Sequence, residues 1–477
     1  MLHERIGFMV FSELFFIYLF LPVCVILYYV TKEKYRNIVL IIFSIVFYAW
    51  GEPIYIWLLL LSVCMNYLLG KMISYETDGT SKFGLALGLL LNTGILVITQ
   101  HAGFIAENIN AIAGTAIPVS ENIIAPIGTA FYTLRASSYL IDCFWGRIPA
   151  EKKFSSFLLY MSLFPIMPYG PIVRYEEIRS QFICRSASIV NISEGMGRFI
   201  IGLAKKVLLA DQLSLIADQF LGADNIEMQT VLGSWYGVAA FALQVYFTLS
   251  GFADMAIGLG KVFGFRFEEN FNHPFMCSDV TDFWQRWHIT LGKFFHDYLL
   301  YIPIFGKRRK YAGLFIVGLC MGLWHGASWN FVIWGIFFAA IIAAETALGR
   351  KNLRKIPTAV RHVYSKIIIA VSFAMFYFTN TSDMGACLKN MFFIGDGGFA
   401  DALLGVSFKN NIFLIAAAVI ACFPVSSFIK RKAEEYGSQR MYTFMQTAET
   451  VALCVLLAVS SVFLVNSTNE PMLCFQI

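Results

Sequence analysis

Apolar stretches follow one another along nearly the whole chain, at 9–30, 38–50, 54–70, 84–99, 123–145, 155–173, 230–262, 313–348, 366–380, 411–428 and 446–466. A hydrocarbon core about 30 Å thick takes roughly 20 apolar residues per helical crossing. The pattern therefore predicts an all-α polytopic membrane protein, with the membrane as the main solvent of the fold. Runs 230–262 and 313–348 are too long for one crossing. At about 1.5 Å per residue, a straight helix over the second would overshoot the bilayer, so a break or hairpin is expected there.

Polar positions say where that break falls. Lys307-Arg-Arg-Lys310 precedes the 313–348 run, and Arg350, Lys351, Arg354, Lys355, Arg361 and Lys366 follow it. The positive-inside rule puts both flanks in the cytoplasm, so the chain goes in and comes back. The polar interruption is His325-Gly-Ala-Ser-Trp-Asn330. It sets the turn, and His325 with it, inside the membrane thickness at a helix break. By the same rule the basic loops at 32–36 and 430–440 are cytoplasmic, and the polar stretch 381–410 is external. Two regions are not simple spans. Residues 189–220 mix apolar positions with Glu194, Arg198, Lys205, Lys206, Asp211 and Asp218, as an interfacial amphipathic helix does. Residues 263–312 are too polar and charged to face lipid. The chain is read as a single domain, 1–477, with a polar and aromatic segment, 263–330, that holds its chemistry.

Composition narrows the class. With 58% hydrophobic and 14% charged residues and a mean hydropathy of +0.66, a water-soluble enzyme is excluded. The net charge of +5 sits in short loops and reports topology, not nucleic-acid binding. Ten cysteines are scattered singly, so neither a disulfide framework nor a metal site is implied. The first apolar run has no small-residue cleavage site after it, and Thr31-Lys-Glu-Lys-Tyr-Arg36 reads as a basic stop, favouring a retained span over a signal peptide.

Of seven histidines, two sit in surroundings that look built around them. Trp324 stands on one side of His325, with Gly326 and Ala327 on the other. A buried neutral imidazole takes a proton from a hydroxyl at physiological pH, which suits general-base catalysis. The plainer alternative is an interhelical hydrogen bond, although ionisable groups inside membranes are costly and usually functional. His288 lies in Asp282-Phe-Trp-Gln-Arg-Trp-His-Ile-Thr290. If this is helical, Trp284 and His288 share a face beside Trp287, and Arg286 points elsewhere, to a lipid headgroup, an acidic partner or a carboxylate such as Asp282; an interfacial aromatic anchor is the alternative. Asp254 either orients a histidine or pairs with a buried arginine, and Arg135 and Asp142 are further intramembrane polar groups. Pro165, Pro168, Gly170 and Pro171 must interrupt a helix, and Arg174 just beyond either holds an anionic group or anchors the chain at the cytoplasmic face. There is no phosphate-binding loop, nucleophile elbow or His-Glu-x-x-His pattern, so ATPase, serine hydrolase and zinc protease readings have no support.

With these segments in hand, the chain resembles the membrane-bound O-acyltransferase superfamily, in its bacterial alginate O-acetylation branch. The residues concerned are Pro126-Ile-Gly-Thr-Ala-Phe-Tyr-Thr133, Gly170-Pro-Ile-Val-Arg-Tyr175, Ser250-Gly-Phe-Ala-Asp-Met-Ala-Ile-Gly258, Glu269-Asn-Phe-Asn272, Phe283-Trp-Gln-Arg-Trp-His-Ile-Thr-Leu291 and Gly322-Leu-Trp-His-Gly-Ala327. The resemblance implies a bundle of about eleven membrane helices around a tunnel, with re-entrant and interfacial helices. His325 matches the family's essential histidine and His288 its second. Trp284, Trp287, Arg286, Trp324, Asn330, Asp254 and Arg174 complete the candidate donor- and substrate-binding residues. Arg135, Thr248, Gln285 and His296 depart from the family pattern, which bears on donor and acceptor handling. No bound cofactor or metal is implied. The donor would be acetyl-CoA, an acyl carrier or another cytoplasmic acyl thioester. The acceptor would be an extracytoplasmic polysaccharide, reached through a separate SGNH-type acetyltransferase, with membrane lipid the other partner and the bacterial inner membrane the location. D-Alanyl transfer to teichoic acid is the nearest alternative, and a polysaccharide or lipid transporter that of another class.

Overall fold

Where lipid offers no hydrogen bonds, a backbone must satisfy its own, and the apolar runs do this as helices. A computed structural model describes residues 10–75, 78–118, 126–186, 188–222, 226–304 and 307–466. The first residue of the 9–30 run and the first three of the 123–145 run lie outside the described residues.

The described residues form two compact units. The first comprises the chain up to Phe199 together with Phe252–Glu269. It holds α1 (Leu21–Val30), α2 (Arg36–Gly51), α3 (Ile56–Tyr75), α4 (Asp78–Leu96), α5 (Ala102–Ala113), α6 (Thr129–Phe144), α7 (Phe154–Ser162), α8 (Tyr175–Ile183) and most of α9 (Ile189–Ala204). Two of its buried amides pair with each other: Asn66 of α3 and Asn92 of α4 exchange hydrogen bonds at 3.0 and 2.9 Å. The wholly buried Arg135 donates to the Tyr160 and Met161 carbonyls at the end of α7, both at 3.0 Å, where the helix dipole favours a cation. The expected proline break follows directly, since α7 stops at Ser162 and a single 3-10 turn, Phe164–Ile166, replaces it.

The second unit comprises Ile200–Gly251 and the chain from Asn270. It holds α10 (Asp211–Leu221), the first part of α11 (Val231–Val262), α12 (Val280–Arg286), α13 (Ile289–Tyr298), α14 (Lys310–His325), α15 (Trp329–Leu353), α16 (Thr358–Tyr377), α17 (Thr381–Met391), α18 (Ala402–Asn410), α19 (Ile412–Ala421), α20 (Val425–Tyr436) and α21 (Gln439–Asn466). A two-residue antiparallel ladder, β1 (Pro303–Ile304) with β2 (Lys307–Arg308), precedes α14.

One expectation changes. The 230–262 run does not break: α11 is one continuous helix of 32 residues, about 48 Å long at the α-helical rise. It contains glycines but no proline, and 83% of its apolar window is buried inside the protein. Protein, not bilayer thickness, sets its length. The apolar runs also divide into helices of unequal length. Among the described residues six helices are long and apolar enough to cross a membrane, or seven if α18 and α19, bent by 64°, form one broken span. Several other runs yield helices of only 9 to 16 residues. Their ends are fixed locally. Glycines in the left-handed region, Gly128 (φ 77°) and Gly146 (φ 69°), flank α6, and Pro165 lies just past α7.

Candidate active site

The 313–348 run breaks where its polar residues lie. α14 ends on His325 itself, Gly326–Ser328 make the turn, and α15 begins at Trp329. Fifteen helical steps separate Lys310 from His325, roughly 22 Å at the α-helical rise. Backbones of the two helices touch: a Cβ on Gly335 would stand 2.1 Å from the Gly318 carbonyl oxygen, and one on Gly322 would stand 2.2 Å from the Phe331 carbonyl oxygen. This approach buries His325 among aromatic rings. Its imidazole centroid lies 4.9 Å from Trp324, 5.1 Å from Trp334 and 5.1 Å from Phe376. Asn330, fully buried in the first turn of α15, donates to the Met375 carbonyl at 3.3 Å, and its Oδ1 has no partner among the described residues.

His288 reaches the same cluster by a route the sequence reading did not foresee. The segment 282–290 is not one helix. α12 ends at Arg286, Trp287 is extended, and His288 sits in the left-handed region at φ 44°, ψ 51° before α13 starts. Trp284 and His288 therefore do not share a helical face. The cause is Asn270, whose backbone carbonyl accepts from Ile289 N–H at 2.9 Å and whose Oδ1 accepts from the Thr290 amide and hydroxyl at 3.2 and 2.9 Å. A non-glycine residue held left-handed costs of order 1–3 kcal/mol and persists only when its surroundings over-determine it. The His288 ring lies 5.9 Å from Trp324, so the two imidazoles flank one indole. Its Nδ1 is buried without a hydrogen-bond partner among the described residues.

The other predicted residues separate. Trp284 packs on Trp334 (5.8 Å) and Phe338 (5.0 Å). Trp287 packs among Phe271, Phe283 and Phe373. Arg286 is tied to Asp282 at 2.7 Å, the acidic partner its position suggested. Asp254 and Arg174 belong to the first unit. There Asp254 pairs with Arg198 at 2.8 Å, which also binds Glu269, and Arg174 caps α8 beside Glu177. Among the described residues no group of three or more His, Cys, Asp or Glu side chains could hold a metal.

Two adjoining cavities lie beside the histidines. An apolar one of about 370 Å³ runs between α12–α13 and the α14–α15 hairpin, walled by Trp284, Ile289, Met321, Trp334, Phe338 and Ala339. Its wall includes Trp334, whose ring also packs on His325 at 5.1 Å; His325 itself does not line it. A polar one of about 590 Å³ is bordered by Lys310, Arg350, Arg354 and Arg361, and by Asp279, Asp282 and Glu345. The two share Thr281, Gln285, His296 and Leu300. Gly349, at φ 75°, interrupts α15 just before Arg350, a kink that L-residues resist. Reasoning from sequence missed Asn270, Thr281, Glu345 and the cationic rim. The Lys307–Lys310 and Arg350–Arg361 clusters were visible, but were read for topology alone.

Residues 151–388 match the family described as MBOAT, the membrane-bound O-acyltransferase family. Over 98% of its length the chain is 33% identical to a protein of Azotobacter vinelandii named probable alginate O-acetylase, all of which it covers. It is 29% identical to the peptidoglycan O-acetyltransferase of Helicobacter pylori, over 98% of this chain and 91% of that one. The teichoic acid D-alanyltransferase of Bacillus subtilis is 23% identical, over 54% of this chain and 69% of its own.

Proposed function

We propose, from the premise that this chain belongs to the membrane-bound O-acyltransferase family and is a multi-pass O-acyltransferase of the bacterial inner membrane, that it moves acetyl groups from a cytoplasmic thioester to an extracytoplasmic polysaccharide. The relatives aligned over nearly the whole chain are named for O-acetyl transfer, whereas the D-alanyltransferase aligns over about half. That contrast supports acetyl over D-alanyl. The observation that carries the reading is the order of surroundings at the hairpin: a cation-rimmed vestibule, an apolar cavity, an indole wall, and behind it a buried histidine.

Acetyl-CoA fits this order as donor. Its phosphates would meet Lys310, Arg350 and Arg354, its amide-bearing arm would pass Thr281 and Gln285, and its thioester would lie in the apolar cavity. Charge-assisted contacts to phosphate oxygens favour such an entrance. Because Trp334 stands between cavity and His325, the acyl end reaches the imidazole only when an indole of the Trp284–Trp334 pair shifts. His325 then takes the acceptor hydroxyl proton as the oxygen attacks the thioester carbonyl. The tetrahedral adduct expels the donor thiolate, which recovers a proton from the imidazolium, leaving an ester and a thiol. His288, across Trp324, stabilises charge on the carbonyl oxygen or holds the donor. Exclusion of water by the surrounding rings protects the thioester from hydrolysis. Delivery to the polysaccharide goes through a separate SGNH-type acetyltransferase outside the membrane.

The test is His325→Ala in cells that still insert the protein, reading ester-linked acetate on cell-surface polysaccharide. Loss of a general base costs about 10²- to 10⁴-fold, so acetylation should fall to background. Wild-type acetylation in that strain overturns the reading.

A further inference from the structure

A carboxylate that takes no part in this chemistry is buried on α15. Glu345 is 3% exposed. Its Oε1 accepts the Val280 amide at 2.9 Å, and its Oε2 accepts the Thr281 amide at 2.8 Å and the Thr281 hydroxyl at 2.5 Å. An acid in a membrane helix is expensive unless it is hydrogen-bonded, and here three donors surround it. These three come from the first turn of α12, and the Tyr364 hydroxyl of α16 is a further partner of the carboxylate. The next amide of that turn, Asp282 N–H, goes to the Asp279 carboxylate at 2.8 Å. The amides a helix leaves unsatisfied at its start are thus divided between a local cap and a side chain from another helix.

α12 needs such a tie. Its seven residues are too few to be stable by propensity alone, and its far end runs into the left-handed His288 that Asn270 holds. α12 also supplies Thr281, Trp284 and Gln285 to the lining of the apolar cavity, where Trp284 packs directly on Trp334 and Phe338 of α15. The helix that carries Glu345 therefore lines the same cavity, in contact with α12.

We propose that Glu345 is a positioning residue: by tying the start of α12 to α15 it fixes how the two helices meet in the lining of the cavity that takes the acyl thioester. The inference rests on the reading that this cavity takes the donor. Glu345 touches neither histidine's ring cluster, so its effect falls on donor binding more than on the chemical step.

Membrane vesicles with radiolabelled acetyl-CoA provide the test. Glu345→Ala should raise the KM for acetyl-CoA about tenfold with a smaller change in kcat, the signature of lost binding rather than lost chemistry. Glu345→Gln keeps one acceptor oxygen for the α12 donors but turns its NH2 toward the other amide, so its KM should rise by less than that of the Ala variant, by about threefold. Equilibrium binding of a non-hydrolysable acetyl-CoA thioether separates this from the catalytic reading: His325→Ala should bind it as wild type does, and Glu345→Ala should not. An Ala variant with wild-type KM and thioether affinity overturns the proposal, as does a Gln variant impaired as severely as Ala. Wild-type vesicles that do not use acetyl-CoA overturn the donor reading and this inference with it. Full turnover by His325→Ala overturns the role of the histidine alone.

Discussion

At the scale of single residues, the site depends on backbone as much as on side-chain identity. His288 occupies a conformation that asparagine tolerates and β-branched residues resist. His288→Asn should therefore fold with a near-normal melting temperature in detergent and lose transfer by roughly 10²-fold, the usual effect of removing one charge-stabilising group. His288→Val should lose thermal stability as well. A single melting curve and a single acetyl-transfer assay on both variants separate the two contributions. Trp334 permits a different test, because it stands against both the cavity and His325. Trp334→Ala would join the cavity to the imidazole, and the kcat/KM ratio for butyryl- over acetyl-CoA should rise by about tenfold or more, the scale at which added methylenes discriminate in apolar pockets. An unchanged ratio would mean that acyl length is set elsewhere.

The α14–α15 hairpin is the element on which the site is built, and its closeness comes from glycine. Gly335→Val would drive a side chain into the Gly318 carbonyl. Overpacking of this kind costs about 1–3 kcal/mol, so it should lower the melting temperature and abolish transfer together. Gly385, in the interior of α17, has nothing within 4 Å of a built Cβ. Gly385→Ala should stabilise by roughly 0.4–1 kcal/mol through the unfolded state and leave transfer unchanged. The hairpin was legible from sequence because charge at both ends and a polar break at His325 admit one path only. Glu345 was not, because a lone acid in an apolar run says nothing about its partner sixty-odd residues upstream in the chain. Nor was the bend at His288. The Trp284–His288 spacing is helical on paper, and only the long-range grip of Asn270 turns it aside. The unbroken α11 escaped for a related reason, since a length limit drawn from lipid does not bind a helix clothed in protein.

At the scale of the whole molecule, fixed charge bears on orientation and, under the function proposed above, on donor capture. By the positive-inside rule the basic segments flanking the hairpin are expected at the cytoplasmic face, and the vestibule with them. Green fluorescent protein fused after Lys355 should fluoresce, and alkaline phosphatase fused there should be inactive; the reverse result would invert the topology and remove the donor entrance from acetyl-CoA. The link Gly326–Ser328 has a consequence for how such a chain can vary. His325 is fixed by phase along α14, so one residue inserted between Gly322 and His325 would turn the imidazole by about 100° around the helix axis, away from Trp334 and Phe376. The exposed stretch 114–118 has no such constraint. Across descendants of this sequence, substrate preference is free to drift by exchange of side chains around the hairpin, while insertions and deletions are confined to the periphery: the hairpin is a fixed gauge that allows re-tooling but no change of length.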